Sequence, residues 1–263
     1  MDARPARQPA TPVHARLRDA GKSLYLRLKR LRARHLSSVD TRGVWQKGLP
    51  DEIWYWEDYV STGGLEWPEE FKRMTSADGA VTDPLLTAEL DRSPLTSISI
   101  LDVGAGPLTV VGTRYPGKEL SVTAIDPLGA EYDALLERYK ITPPVRTLTG
   151  AAEELTTRFA PESFDFAYAR NSLDHSYDPV KAIDNMIRVT KKSGKVLLRH
   201  HAHEAENAKY FGLHQWNFEV DQGCFIIWSR GLEHNVTELF AQDASLSCVR
   251  EKDWILCTIA RKP

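Results

Sequence analysis

The sequence predicts an α/β fold: a doubly wound, mostly parallel sheet with helices on both faces. Three observations predict it. Short apolar runs alternate with helical stretches between Ile98 and His200, the pattern of successive strand–helix units. The first run ends in a glycine turn, Gly104-Ala105-Gly106. The chain closes with two apolar runs joined only by Glu251-Lys252-Asp253, too short a link for a parallel crossover, so this last pair is antiparallel.

Taken in order, the strands are expected at Ile98–Val103, Leu120–Ile125, Val145–Leu148, Phe164–Ala169 and Lys195–His200. Helices are expected at Glu131–Lys140, Ala152–Phe159 and Pro179–Thr190, the last with Ile183, Met186, Ile187 and Val189 on one side at helical spacing. Ser193-Gly194 reads as the turn into the fifth strand. Asn217–Val220 and Cys224–Ser229 flank Asp221-Gln222-Gly223 as a β-hairpin. A helix over Asn235–Gln242 and strands at Ser245–Arg250 and Trp254–Ala260 complete the chain.

Upstream of the first strand, residues 1–36 form a basic Pro/Arg-rich arm and amphipathic helix. Leu17, Leu24, Leu28 and Leu31 recur at spacings of three, four and seven. Ten cations against Asp2 and Asp19 give this arm +8, which leaves −10 on the rest of a chain whose net charge is −2. Such a helix suits an anionic membrane surface or an acidic partner, and equally suits packing on its own domain. Residues 37–94 form a helical, aromatic-rich cap. Trp54, Tyr55, Trp56, Tyr59, Trp67 and Phe71 crowd one stretch, and Ser61-Thr62-Gly63-Gly64 divides it into two short helices. This segment fits either a lid over a pocket or a buttress for the core. Residues 95–263 form the catalytic-type domain, with a substrate-side insertion at 203–230.

Composition narrows the function classes. An acidic body lacks the clustered cations that displace counterions from nucleic acid, so the expected partner is a small molecule. No apolar run reaches the length of a bilayer span and no secretory h-region is present. The three cysteines, Cys224, Cys248 and Cys257, have no CxxC spacing and read as reduced thiols of a cytoplasmic protein. A peripheral contact with the inner face of a membrane would use the basic helix. The sequence does not specify an oligomeric state.

The strongest motif is Leu101-Asp102-Val103-Gly104-Ala105-Gly106. Glycines after a strand let the backbone turn sharply and approach a ligand closely. Alone, Gly-x-Gly is shared with nicotinamide and flavin enzymes. Asp102 stands two residues before the first glycine, where a carboxylate can order the turn and help hold a cationic ligand. Asp126, before Pro127, ends the second strand, placed for the two hydroxyls of a ribose.

With these segments in hand, LDVGAGPLTVVG, AIDP, TLTGAAEEL, SFDFAYARNSLDHSYDPVKAI and KKSGKVLLRH resemble, in order and spacing, the motifs of class I, Rossmann-like S-adenosylmethionine-dependent methyltransferases, especially their broad small-molecule (type 11-like) group. The resemblance covers about residues 95–202. It implies a seven-stranded sheet with one antiparallel strand and S-adenosylmethionine as cofactor. It implies that Asp102, Gly104 and Gly106 cradle the methionine end and that Asp126 with Pro127 holds the ribose. Ala152 and Glu153 would line the adenine, and Arg170 and Asn171 would face the amino acid and the substrate. Two positions depart from the pattern: Leu108 replaces the third glycine and Ala151 replaces the adenine-side acidic residue.

A histidine-rich edge follows the fourth and fifth strands: His175, His200, His201, His203 and His214. Ligands in such sheets bind beyond the carboxyl ends of the strands. Histidine is the usual base near neutral pH, so His201, His214 and His175 are the catalytic candidates for deprotonating a hydroxyl. His200 reads as a core residue, and Trp216 and Phe218 as either a wall for a ring-shaped substrate or anchors of the hairpin. A metal set of Asp174, His201, His203 and Glu204 matches no ligand spacing, and no metal is expected. The expected activity is therefore O-methylation of a small molecule, such as a sugar or glycosylated natural product, as in natural product or polysaccharide biosynthesis. Carboxylate or amine methylation and a non-catalytic cofactor-binding scaffold or regulatory subunit are the alternatives.

Overall fold

The computed structural model describes residues 40–262; the expected basic arm and helix of residues 1–36 lie outside it. Helix α1 (Thr41–Thr62) begins at Asp40, whose side chain accepts from the Gly43 N–H, and runs through Pro50 to a left-handed C-cap at Gly63. The first of the two helices expected to be short is thus 22 residues long. The division at Gly63-Gly64 is observed, and α2 (Pro68–Thr75) follows it. Helix α3 (Pro84–Arg92) starts as its sequence dictates: Asp83 caps the Leu85 and Leu86 N–H groups and proline takes the first turn, where a missing N–H costs nothing.

The main sheet contains β1 (Ser97–Val103), β2 (Glu119–Asp126), β3 (Thr147–Thr149), β4 (Phe164–Arg170), β5 (Thr190–His201), β9 (Ala244–Glu251) and β10 (Trp254–Arg261). Its order is β3-β2-β1-β4-β5-β10-β9. Only β10 runs against the others: it pairs antiparallel with both β5 and β9. The seven-stranded sheet with one reversed strand is as expected. Every residue of β4 before Arg170 is buried, whereas the edge strand β9 is exposed along most of its length, as position in the sheet requires. Helix α4 (Gly129–Arg138) follows β2, and α5 (Pro179–Val189) follows β4 with Asp178 as N-cap and Ile183, Met186, Ile187 and Val189 buried. The expected helix at Ala152–Phe159 is a 3-10 turn over Ala152–Thr157.

Four local expectations need correction. Ser193-Gly194 is not a turn before β5 but a bulge within it. Thr190 faces Phe164 and Lys195 faces Phe166, so the four residues 191–194 stand opposite Asp165 alone. Asp165 braces this irregularity, accepting from Ser99 N at 2.9 Å, Ser99 Oγ at 2.7 Å and Lys191 Nζ at 2.8 Å. The hairpin β6 (Asn217–Asp221) and β7 (Cys224–Ser229) gains a third strand, β8 (Leu232–Asn235). The helix expected at Asn235–Gln242 is one turn, α7 (Val236–Leu239), following the single turn α6 (Glu204–Asn207) in the helix count. Lastly, Cys248 and Cys257 are not reduced thiols: they oppose each other across β9 and β10 and form a disulfide, leaving Cys224 free.

The main core lies between the sheet, α5 and the small sheet, and includes Phe164, Met186, Trp216, Phe218 and Phe225. Trp216 and Phe218 are therefore anchors of the small sheet, 2% and 0% exposed, not a substrate wall. Cys257 is buried in the same cluster. Among the described residues no helix is long and apolar enough to cross a membrane.

Candidate active site

Strand order reverses between β1 and β4, the point at which doubly wound sheets open a crevice for ligands. A cavity of about 870 Å³ lies there. Its floor is the turn after β1, the end of β2 and the segments after β4 and β5; α1 and residues 211–214 cover it.

Gly104 and Gly106 carry φ of +71° and +63°, a region that residues with a Cβ enter at a cost. Both are also sterically pinned. A Cβ on Gly104 would lie 2.4 Å from Ser172 Cβ, and one on Gly106 would lie 2.6 Å from Trp56 Cζ2. The turn is therefore clamped between the β4 loop and α1. The Gly104 and Ala105 N–H groups donate to Ile125 O, which ties the turn to β2.

Asp126 reaches this turn from the end of β2. Its carboxylate accepts from Gly106 N at 3.1 Å and Leu128 N at 3.0 Å, and it lines the cavity with Pro127. Burial pushes its carboxyl up to about 6, against the pull of those two N–H donors. Asp102 sits behind the turn. It is 1% exposed and accepts from Thr109 Oγ1 at 2.5 Å, and burial raises its carboxyl to about 7. It orders the turn without lining the cavity, which Val103, Gly104, Ala105 and Gly106 do. Leu108, at the departed third position, is buried against Tyr59 and Leu135.

Ala152 and Glu153 also line the cavity. Glu153 points its carboxylate at the start of α5, accepting from Tyr177 N at 2.8 Å and Asp178 N at 3.0 Å. Burial raises it to about 7 all the same.

On the opposite side, Asn171 holds a left-handed backbone, φ +53°, a conformation asparagine tolerates better than most residues. Its N–H donates to Arg199 O and its side-chain oxygen accepts from His201 N at 3.0 Å. It thus ties the ends of β4 and β5 together. Arg170 lies 3.6 Å from Glu70, which also holds Arg73 through two hydrogen bonds. Arg199 donates to Asp83 at 2.5 Å and stacks over the Trp254 ring at 4.2 Å.

All three candidate histidines line the one cavity, but in two arrangements. His201 lies on Trp254, ring centroids 3.7 Å apart; among the described residues no hydrogen bond ties its ring. His175 and His214 are joined: His175 Nε2 is 3.0 Å from His214 Nδ1, which is 2.7 Å from Asp174 Oδ2. Asp174 is 1% exposed. Burial alone would raise its carboxyl, but His175, His214 and His200 hold it down to about 2. In return the Asp174 hydrogen bond and charge, with Glu204 and Glu52, raise His214 against its own desolvation. His200 is a core residue stacked on Phe218 at 4.5 Å, and burial lowers it to about 4. The four-residue metal set considered from sequence does not assemble among the described residues; Asp174 instead gathers His175 and His214.

Sequence reasoning missed Glu52 and Trp254 as cavity residues. It left Asp174 outside the catalytic candidates. For Asp174 a signal existed: a carboxylate adjoining a candidate histidine. Of the aromatic stretch, Tyr55, Trp56, Tyr59 and Trp67 line the cavity, and Tyr59 also packs edge-on against Phe71.

Residues 101–198 match the family model described as the methyltransferase domain. Among curated proteins, none matches the sequence. Among solved structures, the chain is similar to the CurJ carbon methyltransferase, with 14% identity over 68% of this chain and a TM-score of 0.50. The match spans 52% of that chain, so this chain corresponds to about half its length. It is also similar to the citrinin polyketide synthase CMeT domain, with 19% identity, 68% and 51% of the two chains covered, and a TM-score of 0.48. The YcgJ protein of Bacillus subtilis matches with 16% identity, 68% and 98% coverage, and a TM-score of 0.40.

Proposed function

We propose that this chain is a class I S-adenosylmethionine-dependent methyltransferase and that it methylates a hydroxyl group of a polar small molecule, a sugar or a glycosylated compound; the methyltransferase-domain match over residues 101–198 supports the first part. The carrying observation is that His201, His175 and His214 line the same cavity as the glycine turn and Asp126.

The cavity suits the cofactor. Gly104 and Gly106 present only backbone to the cavity, and Asp126 lines it beside them from the end of β2. When bound, S-adenosylmethionine supplies a methyl group carried on a sulfonium. In this reading Gly104 and Gly106 admit its amino-acid end and Asp126 accepts the ribose hydroxyls. Ala152 would lie against the adenine, while Glu153 shapes that wall by holding the Tyr177 and Asp178 N–H groups just before α5. Glu52, Tyr55 and Trp56 line the same cavity and would offer a bound sulfonium a carboxylate and aromatic rings, both of which favour a cation. Asp102 acts through Thr109 and the turn, as a positioning residue.

His201 is the preferred base. Asn171 fixes its backbone, Trp254 fixes its ring plane, and its nitrogens remain available to take the acceptor's O–H proton. His175 and His214, tied to Asp174, are better suited to holding the acceptor than to receiving its proton. A carboxylate acceptor is disfavoured because it needs unpaired cations, and Arg170 and Arg199 are both engaged by carboxylates. Exposed Trp67 and Phe211 at the cavity lining, with Trp254, offer flat apolar surfaces on which a sugar ring can pack. The 203–230 insertion contributes Phe211–His214 to this acceptor side.

The test is a panel of sugars, glycosides, phenols, carboxylic acids and amines, with S-adenosylhomocysteine release as readout and the product linkage read by NMR. The reading expects an O-methyl ether. It expects His201→Ala to lower kcat by ~10²–10⁴-fold while leaving S-adenosylhomocysteine affinity unchanged. An ester, N-methyl or C-methyl product would refute the acceptor class, and an unchanged kcat in His201→Ala would refute the base.

A further inference from the structure

The contacts among Asp174, His175 and His214 are hard to explain by hydrogen bonding. Three atoms converge: Asp174 Oδ2, His175 Nε2 and His214 Nδ1. Their separations are 2.7 Å (Oδ2 to Nδ1), 3.0 Å (Nε2 to Nδ1) and 3.4 Å (Nε2 to Oδ2). A single proton on His214 Nδ1 can serve only one of its two neighbours. If both histidines donate to Oδ2, two N–H dipoles stand side by side at 3.0 Å. In either case Asp174 Oδ1, fully buried, has no hydrogen-bond partner among the described residues. A buried acceptor without a partner is a rare and costly arrangement.

A metal ion resolves both difficulties. Ligands about 2.1 Å from a common centre and 90–109° apart are themselves ~3.0–3.4 Å apart, which the three separations approximate. A carboxylate that binds through both oxygens would also use the unpartnered Oδ1. The three groups lie within one coordination sphere of each other. Asp174 closes the buried side, while His175 and His214 line the cavity. Three protein ligands with a face open to a cavity is the arrangement of catalytic metal sites, in contrast to the closed four-ligand structural kind. Two carboxylates stand just outside: Glu52 Oε2 is 3.6 Å from His175 Nδ1, and Glu204 Oε1 is 4.0 Å from His214 Nδ1. Glu52 is thus placed to orient the His175 ring from behind, as carboxylates do for metal-bound histidines.

We propose that Asp174, His175 and His214 form a three-ligand site for a divalent first-row transition ion, open to the cavity. Two imidazoles and one carboxylate suit zinc, iron, cobalt or manganese, and exclude magnesium, which prefers oxygen ligands alone. The ion's open positions take hydroxyl oxygens of the acceptor, fixing it against the cofactor side of the cavity while His201 takes the proton. The ion's role rests on the hydroxyl-acceptor reading; its binding does not.

The test uses the full chain, stripped with EDTA and free of cofactor and acceptor. Co²⁺ is titrated and followed by visible absorption, and Zn²⁺ and Mg²⁺ are titrated by calorimetry. The proposal expects one Co²⁺ or Zn²⁺ per chain at this site and no Mg²⁺ binding. His214→Ala and Asp174→Asn should each weaken Co²⁺ binding at least tenfold, whereas His201→Ala should retain it. Circular dichroism checks the fold, and His214→Gln, at a partly exposed position, guards against collapse of Asp174→Asn. Absence of stoichiometric binding, or binding that survives His175→Ala/His214→Ala, overturns the proposal. Full methyl transfer by the stripped chain overturns the ion's role in catalysis and leaves the function standing. Stoichiometric ion binding with no O-methylation of any acceptor refutes the acceptor reading alone.

Discussion

Gly106→Ala probes the clamp that joins α1 to the glycine turn. The added methyl group meets two costs. At φ +63° a residue with a Cβ pays about 1–2 kcal/mol relative to glycine. The Cβ would also lie 2.6, 3.0 and 3.1 Å from three atoms of the Trp56 ring. That ring cannot swing aside freely. Its Nε1 donates to Glu52 at 2.8 Å, and its ring packs in edge-on contacts with Tyr55, Tyr59 and Tyr132. Overfilling such a contact costs typically 1–3 kcal/mol. Together the penalties amount to roughly 2–5 kcal/mol, a fall in Tm of about 4–20 °C for a domain of this size. Differential scanning fluorimetry reads the fall, and calorimetry reads a parallel loss of S-adenosylhomocysteine affinity. Trp56→Ala removes the obstacle, so Gly106→Ala should cost about 1–3 kcal/mol less in that background. Equal costs in both backgrounds, or unchanged Tm and affinity, would refute the clamp.

Two further predictions follow from buried carboxylates. Because Asp126 keeps its proton up to about 6, S-adenosylhomocysteine should bind more tightly as pH rises from 5 to 8, with an inflection near that value. Asp126→Asn should flatten the profile, and a profile unchanged by the substitution would assign the titration to another group. The ligand-free protein responds with the opposite sign. The folded carboxyl binds its proton more tightly than the unfolded one, so this group's contribution to stability falls as pH rises from 3.8 to about 6. At the β5 bulge, Asp165→Ala strands the Ser99 N–H and the Lys191 ammonium. The expected loss is about 1–3 kcal/mol in a urea melt, with the sheet retained by circular dichroism; a loss below ~0.5 kcal/mol would mean the bulge does not depend on this brace.

The parts of the molecule legible in the sequence are those fixed by neighbours along the chain. The glycine turn, Asp126 at the end of β2 and the proline-started, aspartate-capped α5 are all local patterns, and each lies where the sequence places it. The reversed strand was legible because three linking residues allow no crossover. What the sequence hides is set by pairing. Strand β8 is Leu-Glu-His-Asn, four half-exposed residues with no alternation, and exists because β7 offers it an edge. The Cys248–Cys257 bond depends on the register of β9 against β10. Lys-Lys-Ser-Gly has the composition of a turn but is held as a bulge by Asp165 from another strand. The same holds for the site. Asp174 and His214 are forty residues apart, brought together when Gln215 N donates to Asp174 O and Trp216 Nε1 donates to Ser176 O. A histidine-rich edge is visible in the chain; which histidines pair and which stands alone is decided by that docking.

The central claim is that the cavity at the β1/β4 switch point binds S-adenosylmethionine through Asp126 and the glycine turn. Calorimetric titration of S-adenosylhomocysteine into the wild type and Asp126→Ala tests it most directly. The account predicts one bound molecule per chain for the wild type. It predicts at least tenfold weaker binding in the variant, corresponding to the ~1.5–3 kcal/mol of a hydrogen bond to a charged group. No binding to the wild type, or equal affinity in the variant, would contradict it.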